Sequence, residues 1–399
     1  MMLAGPQFLS SWKMKPPMAL DDSRNFRIDL LRGIAISLVL VLHYHLSYAL
    51  TNSPLALLFS KEAIKAVAVN GNYGVTMFFA ISGYLITSTA IKRYGSLGEV
   101  NLRRFYVFRL ARIMPCLLVA LAAIVILGLL GQPAFMNSAQ HGWPDVGYPL
   151  AVLSVLTFWH NVLMQHAWYF NYAMNIYWSL SVEEVFYLVF PLLCFGLKRE
   201  WAIASVWILA IVIGPVYRSF HASDEIYFMY AYAACFDAVA FGCCAALFAA
   251  RNRLQGKAGA LIQLAAACLV AVTYLRGIIG HEVFGFSLVA AGTAVLLAGS
   301  GSRATPAWLR RNRLLAGVRW LGRHSYELYL FHIIVLGLMR SFIPRGTMAY
   351  GYKLPLLTLF LAISAIVAGL VARFYSEPVN AWLRAAFLRA PLPPAAVRP

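Results

Sequence analysis

Residues 27–45 read Arg27-Ile-Asp29-Leu-Leu-Arg32-Gly-Ile-Ala-Ile-Ser-Leu-Val-Leu-Val-Leu-His43-Tyr-His45, a long apolar helix with a charged start and an ionisable interior. Arg32 and His43 stand eleven residues apart. At about 100° per residue that separation closes three turns to within roughly 20°, so both side chains share one helical face about 16 Å apart along the axis. A histidine inside a membrane helix is costly to place, usually faces protein or a water-filled cavity, and marks a candidate functional residue. Taken singly, such a histidine also serves simply to hydrogen-bond a neighbouring helix, and an arginine at a helix end to anchor at the cytoplasmic interface. Their common face turns the reading towards function.

The rest of the chain is the environment such a helix needs. Of 399 residues, 61% are hydrophobic and only 12% charged, and the mean hydropathy is +0.70. These values describe a polytopic membrane protein rather than a set of soluble domains. The net charge of +18 therefore speaks to membrane orientation and not to nucleic-acid binding. Six cysteines (116, 194, 235, 243, 244 and 268) all lie in apolar segments without a Cys-x-x-Cys pair, so neither a metal site nor a disulfide framework is expected and they read as helix-packing residues. The first 24 residues carry Lys13, Lys15, two consecutive prolines and an Asp-Asp pair but no sustained apolar core, which predicts a short cytoplasmic tail rather than a signal peptide.

Apolar runs long enough to cross a hydrocarbon core of about 30 Å fall near 30–50, 73–91, 113–130, 178–197, 201–217, 230–250, 260–276, 283–299, 324–340 and 354–373. The expected fold is thus all-α, with about ten transmembrane helices. A cytoplasmic tail over 1–26, a membrane domain over 27–378 and a second cytoplasmic tail over 379–399, irregular from Arg389, complete the organisation. With both termini inside, only Lys61, Lys65, Arg218, Arg276, Arg340, Arg345 and Lys353 of the 33 lysines and arginines are external, as the positive-inside rule requires. Residues 148–164 resist the scheme: their apolar core is short and both flanks lack Lys and Arg. This stretch is expected to be re-entrant or to lie at the outer interface.

Sorting the ionisable residues by depth gives a pattern. His43, Glu183, Glu184 and Asp237 fall about one-third of the way in from the external side, while Arg32, Arg109 and Arg112 stand at the inner mouth. Arginines at i and i+3 lie on one helical face and can grip a phosphate-bearing ligand. A cationic cytoplasmic entrance leading to a histidine and carboxylates suits a polyanionic cytosolic donor meeting an acceptor on the far side. Acyl-CoA fits, its phosphates on arginines and its thin pantetheine arm reaching inward. The imidazole of His43, with a reference pKa of about 6.5, suits general-base work on the acceptor hydroxyl, with a carboxylate orienting the ring. Read alone, Asp237 pairs structurally with another helix. Tyr326, Tyr329 and His332 form a stripe that is more often packing, with His332 the residue to watch.

Together the motifs resemble membrane acyltransferase family 3, the multi-span O-acyltransferases of surface polysaccharides and related acceptors. They are Arg32-x10-His43, Gly74-Val-Thr-Met-Phe-Phe-Ala-Ile-Ser82-Gly83-Tyr84, Arg109-x-x-Arg112 with Pro115, and Trp178-Ser-Leu-Ser-Val-Glu183-Glu184-Val-Phe-Tyr187. Phe236-Asp237-Ala-Val-Ala-Phe-Gly242, Gly322-Arg-His-Ser-Tyr326-Glu-Leu-Tyr329-Leu-Phe-His332 and Ser376-Glu377-Pro378 follow. The resemblance runs from about Arg27 to Pro378, and seven motifs in order make it specific. It implies His43 as catalytic residue, Glu183 as the associated carboxylate, and Arg32, Arg109 and Arg112 on the acyl-CoA path. Ser82, Trp178, Glu184, Asp237, Tyr329 and His332 join the substrate-lining set, Glu184 with its role open. No bound cofactor or metal is implied, only acyl-CoA, with acetyl-CoA the favoured form, as co-substrate. The implied partners are the bilayer of a bacterial inner or plasma membrane and a glycan or lipid-linked sugar acceptor. Some members carry an extra hydrolase-like domain after the membrane part; this chain ends too soon for one, which implies that it completes transfer itself or hands the acyl group to a separate protein. Two other functions suit the same residues: secondary transport or flipping of an anionic glycolipid, and O-acylation of a non-glycan molecule. Against transport, no pair of Gly/Pro-broken spans recurs in corresponding halves.

Overall fold

The computed structural model describes residues 25–138, 142–301 and 306–388, and every element in them is helical. The expected tails at 1–24 and 389–399 lie outside the described residues. The first half of the chain forms α1 (Phe26–Tyr48), α2 (Lys61–Ala68), α3 (Asn72–Tyr94), α4 (Leu102–Leu129), α5 (Tyr148–Leu156), α6 (His160–Ala167), α7 (Tyr177–Leu197) and α8 (Glu200–Phe220). The second half forms α9 (Glu225–Tyr230), α10 (Tyr232–Arg251), α11 (Gly256–Arg276), α12 (Gly285–Ala298), α13 (Ala307–Arg311), α14 (Arg313–Arg323), α15 (Ser325–Phe342), α16 (Lys353–Val371) and α17 (Glu377–Leu388).

A helix stands at each of the ten expected spans. Among the described residues, seven helical stretches are long and apolar enough to cross a membrane: Lys61–Tyr94, Leu102–Leu129, Met174–Leu197, Glu200–Phe220, Glu225–Arg251, Gly256–Arg276 and Tyr350–Leu388. The protein is an all-helical, polytopic membrane protein. α12 is apolar but shorter, and α1 and α15, which carry the polar residues of the site, fall outside the seven. The 148–164 stretch becomes two short helices of nine and eight residues, each too short to span a bilayer at about 1.5 Å per residue. The segment expected as a tail from 379 continues as helix to Leu388, with the Arg384 guanidinium 4.8 Å from the Phe108 ring of α4.

Local sequence explains where the key helices start and how close they come. Asn25 caps α1, its side-chain oxygen accepting from the N–H groups of Arg27 at 3.0 Å and Ile28 at 3.4 Å. Small residues let membrane helices approach backbone to backbone. A Cβ on Gly242 of α10 would stand 1.9 Å from the Ala80 carbonyl of α3, and one on Gly83 of α3 would stand 2.1 Å from the Val239 carbonyl of α10. α1 and α14 meet in the same way: a Cβ on Gly33 or on Gly322 would lie 1.9 Å from Val318 O or Asp29 O. The glycines of four separate motifs are thus steric requirements of helix packing.

A closed polar cluster ties α8, α10 and α12 together. Arg218 and Asp237 are both 0% exposed and pair at 2.6 Å through Nη2 and Oδ2. Arg218 also donates to Ser287 Oγ at 2.6 Å, to Val283 O at 2.9 Å and to the Ala234 carbonyl. Ser287 in turn donates to Asp237 Oδ2 at 2.6 Å. Arg218, expected on the external side of α8, is drawn into the bundle because burying Asp237 without a counter-charge is prohibitive. The cysteines are unpaired, and all but Cys268 are wholly or partly buried; Cys268 faces out of the bundle on α11.

Removing one member of this cluster has a large expected cost. Asp237→Ala leaves a buried, unpaired guanidinium and should destabilise the protein by about 3–5 kcal/mol. Gly242→Val should cost about 1–3 kcal/mol through overpacking against α3. Thermal unfolding of detergent-purified protein, followed by tryptophan fluorescence, measures both; an unaltered melting temperature for Asp237→Ala removes the cluster's structural role.

Candidate active site

The face shared by Arg32 and His43 is turned onto α15. Arg32 donates to Ser325 Oγ through Nε at 3.1 Å and Nη2 at 2.8 Å. Farther along, the His43 and His332 rings lie 5.0 Å apart between centroids and are tilted by 54°. α1 and α15 therefore run alongside each other, with polar pairs at two levels and an apolar stretch between.

Around the arginine level lies a cavity of about 480 Å³. Arg32, Arg109 and Arg112 reach it from α1 and α4, Ser82 from α3, Glu183 and Tyr187 from α7, and Ser325 and Tyr329 from α15. The Arg109 guanidinium sits 5.1 Å from the Tyr187 ring, and the Tyr187 hydroxyl is 2.5 Å from Ser82 Oγ. Glu183 lies in the field of Arg32 and Arg109 and interacts with the Ser82 hydroxyl. Asp29, at the mouth, pairs with Arg323 at 3.1 Å. The lining takes in the start of α1, with Arg32, and the first turns of α4, with Arg109 and Arg112, beside the Lys- and Arg-rich 92–112 segment. This is the basic end of the bundle.

The opposite end holds a larger vestibule of about 1120 Å³, and His43 lines it. Tyr169, Tyr172, Trp178 and Tyr230 form aromatic walls, joined by Asn72, Asn175, Arg340 and Arg345. Trp178 and Tyr230 rings are 4.6 Å apart, Tyr169 and Tyr230 hydroxyls 2.9 Å, and the Arg340 guanidinium 4.1 Å from the Tyr172 ring. Among the described residues only Val75 and Tyr329 line both cavities. The Tyr329 hydroxyl is 2.5 Å from Ser179 Oγ and donates to Ile176 O at 2.9 Å, and its ring is 6.0 Å from that of His332. His332 is 0% exposed and donates from Nδ1 to Leu328 O at 2.9 Å. Its Nε2 is buried with no hydrogen-bond partner among the described residues.

Placement of the predicted residues is mixed. Arg32, Arg109, Arg112, Ser82 and Glu183 share the basic cavity, His43 and Trp178 the vestibule, and Tyr329 both. Glu183 is not beside His43. The expected equality of depth fails because α7 starts beneath a buried segment, with Phe170 and Asn171 each 1% exposed and Met174 fully buried, so counting from Trp178 does not count from the membrane surface. His332 occupies the position next to His43 instead. Glu184 is 4% exposed and lines neither cavity; its Oε1 has no partner among the described residues. Asp237, carried by resemblance into the substrate-lining set, is closed into the Arg218 cluster and lines neither cavity. His45 turns away from the track, its Nδ1 accepting from Leu50 N–H at 3.2 Å. Sequence reasoning passed over Ser325, the Arg32 partner, although it lies within the Gly322–His332 motif and seven residues, about two turns, before His332.

An acyltransferase domain matches residues 25–374, which spans every residue of this site. The chain belongs to membrane acyltransferase family 3. Within that family it is similar to the O-acetyltransferase OatA of Staphylococcus aureus (strain NCTC 8325), 25% identical over 333 residues, covering 78% of this chain and 53% of that protein. A second S. aureus protein, with the name "Putative O-acetyltransferase SACOL0978" in strain COL, is 24% identical over 375 residues, 88% of this chain and 56% of its own length. The chain thus spans about half the length of the curated relatives it matches. No solved structure matches it. For this family-3 membrane domain, the geometry supplies a partition into two compartments.

The partition is testable by labelling. In a Cys268→Ser background, Thr89→Cys should react with a membrane-impermeant maleimide only from the side of the basic end. Asn72→Cys should react only from the opposite side. Reaction of either variant from both faces of sealed vesicles would mean a continuous pore in place of two cavities.

Proposed function

We propose that the protein transfers an acyl group, acetyl in the simplest case, from cytosolic acyl-CoA to a sugar hydroxyl presented on the opposite side of the membrane. One observation carries this reading: a cavity lined by three arginines and a vestibule containing His43 approach from opposite ends and meet at Val75 and Tyr329. The positive-inside rule assigns the basic end to the cytoplasm. Transport of the acceptor is the weaker reading, because the two cavities share only Val75 and Tyr329 in their linings, which favours transfer of a small acyl group over passage of a glycan.

In this mechanism Arg109 and Arg112, one helical turn apart, bind the donor phosphates with Arg32 deeper in. Glu183 supplies a counter-charge to the guanidiniums within the same cavity. The thioester end reaches past Tyr329 to the vestibule. The His43 imidazole removes the proton of the acceptor hydroxyl, whose oxygen attacks the acyl carbon; the carbon–sulfur bond breaks, and the proton passes to the departing thiolate. His332, with Nδ1 committed to Leu328 O, keeps its Nε2 lone pair free to orient a His43 N–H. The aromatic and amide-lined vestibule suits a polyhydroxylated ring. The O-acetyltransferase names of the relatives support the same reaction class.

Release of free CoA from acetyl-CoA on addition of acceptor glycans tests the reaction. His43→Ala should lower transfer by about 10²–10⁴-fold, the usual worth of a general base, with acetyl-CoA binding retained, while His45→Ala stays mild. His332→Ala should reduce turnover more than it alters donor affinity. If His45→Ala is as inactive as His43→Ala in folded protein, or if His43→Ala turns over normally, the base assignment is wrong.

The arginine assignment has its own test. Arg109→Gln with Arg112→Gln should weaken acyl-CoA binding in isothermal titration by about tenfold or more, since charge-assisted bonds to phosphate are worth roughly 1.5–3 kcal/mol each. Unaltered affinity in a double variant that keeps the parent melting temperature would leave the pair as orientation signals only.

A further inference from the structure

The helices α8, α11 and α12 diverge at the vestibule end and leave a cleft of about 900 Å³ on the outside of the bundle. Its walls are Val212 and Val216 of α8, Leu269 and Val272 of α11, and Phe284 and Leu288 at the start of α12. Each of these six side chains is 37–63% exposed, and on a membrane protein such a face meets lipid tails. The cleft does not end in the bilayer. Arg276 and Glu282 line both it and the vestibule, so the two spaces adjoin at these residues.

The sill between the two is firmly built. Asn70 donates to Tyr274 O at 3.0 Å and accepts from Ile278 N–H at 3.3 Å, and the Tyr73 hydroxyl donates to Gly277 O at 3.0 Å. The Tyr274 hydroxyl donates to Val67 O at 2.6 Å. Gly277 and Gly280 take φ of +89° and +81°, values that side-chain-bearing residues rarely adopt. At the sill Arg276 is exposed, and no carboxylate pairs with it among the described residues. The acidic neighbour Glu282 is tied back, its Oε1 accepting from Gly280 N–H at 2.7 Å.

Apolar walls, one unpaired guanidinium at their polar border and an aromatic chamber beyond match the three parts of one molecule. We infer that the acceptor arrives as a phosphate-linked glycolipid from the bilayer, its hydrocarbon tail in the α8–α11–α12 cleft, its phosphate on Arg276 and its sugar in the vestibule beside His43. The guanidinium suits the phosphate through paired N–H donors. This inference rests on the acyl-transfer reading for what happens to the sugar, but lateral binding is independent of turnover.

Photo-crosslinking of the purified full-length protein with hexadecyl phosphate glucoside tests it. With a diazirine in the tail, the probe should label α8, α11 and the start of α12. With the diazirine on the sugar, it should label residues 164–178 and 225–230. Val272→Trp, which fills the cleft from an exposed position, and Arg276→Glu, which reverses the charge at the sill, should each reduce both labels several-fold at an unchanged melting temperature. A matched probe with a choline head in place of the phosphate glucoside should label weakly. Equal labelling by both head groups, insensitivity to Val272→Trp, or sugar-end labelling outside the vestibule loops overturns the inference. Correct labelling together with no release of CoA from acetyl-CoA would leave lateral glycolipid binding in place and count against acyl transfer alone.

Discussion

A guanidinium on a membrane helix has to face protein, and in this molecule that constraint falls on Arg32. Its two hydrogen bonds to Ser325 Oγ set the rotation of α1 against α15. Because helical phase is nearly restored after eleven residues, the same rotation turns His43 onto α15 and against His332. α1 is held in that orientation from its other sides by backbone approach. Gly33 and Gly322 admit α14, and Gly74 of α3 packs where a Cβ would stand 2.6 Å from Ala35 O. One electrostatic requirement and a few missing side chains thus align both ends of the site.

The second buried charge system does different work. Arg218, Asp237 and Ser287 satisfy one another inside the bundle and open into neither large cavity. A buried pair of this kind is weak evidence of net stabilisation but breaks at high cost, which makes it a device for fixing the mutual register of α8, α10 and α12. Those helices support the α3 wall of the basic cavity through the Gly83–Gly242 contact, and two of them, α8 and α12, border the lateral cleft. The polar core therefore shapes the surroundings of the chemistry without touching it.

Dividing the site between two cavities addresses a physical difficulty of reacting across a membrane. In the proposed reaction a polyanionic donor and a polyhydroxylated acceptor both need polar, solvated surroundings, yet an open path between them would leak ions. Arg32, Arg109 and Arg112 line one cavity, aromatic and amide groups together with Arg276, Arg340 and Arg345 line the other, and Val75 and Tyr329 line both, the Tyr329 hydroxyl held by Ser179 and Ile176 O.

Much of this was legible in the chain itself. Positions of the apolar helices follow from the length a bilayer demands, and the common face of Arg32 and His43, like that of Arg109 and Arg112, follows from helical periodicity; both are local properties that sequence encodes directly. The pairing of Asp237 with another helix was legible as a type of interaction, but its partner was not, since Arg218 counts as an external charge by position and becomes a buried one only when α8 and α12 close over α10. The neighbour of His43 was decided by tertiary structure alone. Depth along one helix can be counted in residues, but comparing depths on two helices needs their relative vertical offset, and the buried segment ahead of α7 lowers Glu183 to the arginine level while α15 brings His332 to the histidine. The meeting of two cavities at Val75 and Tyr329 is likewise a product of packing, because empty space belongs to no single helix.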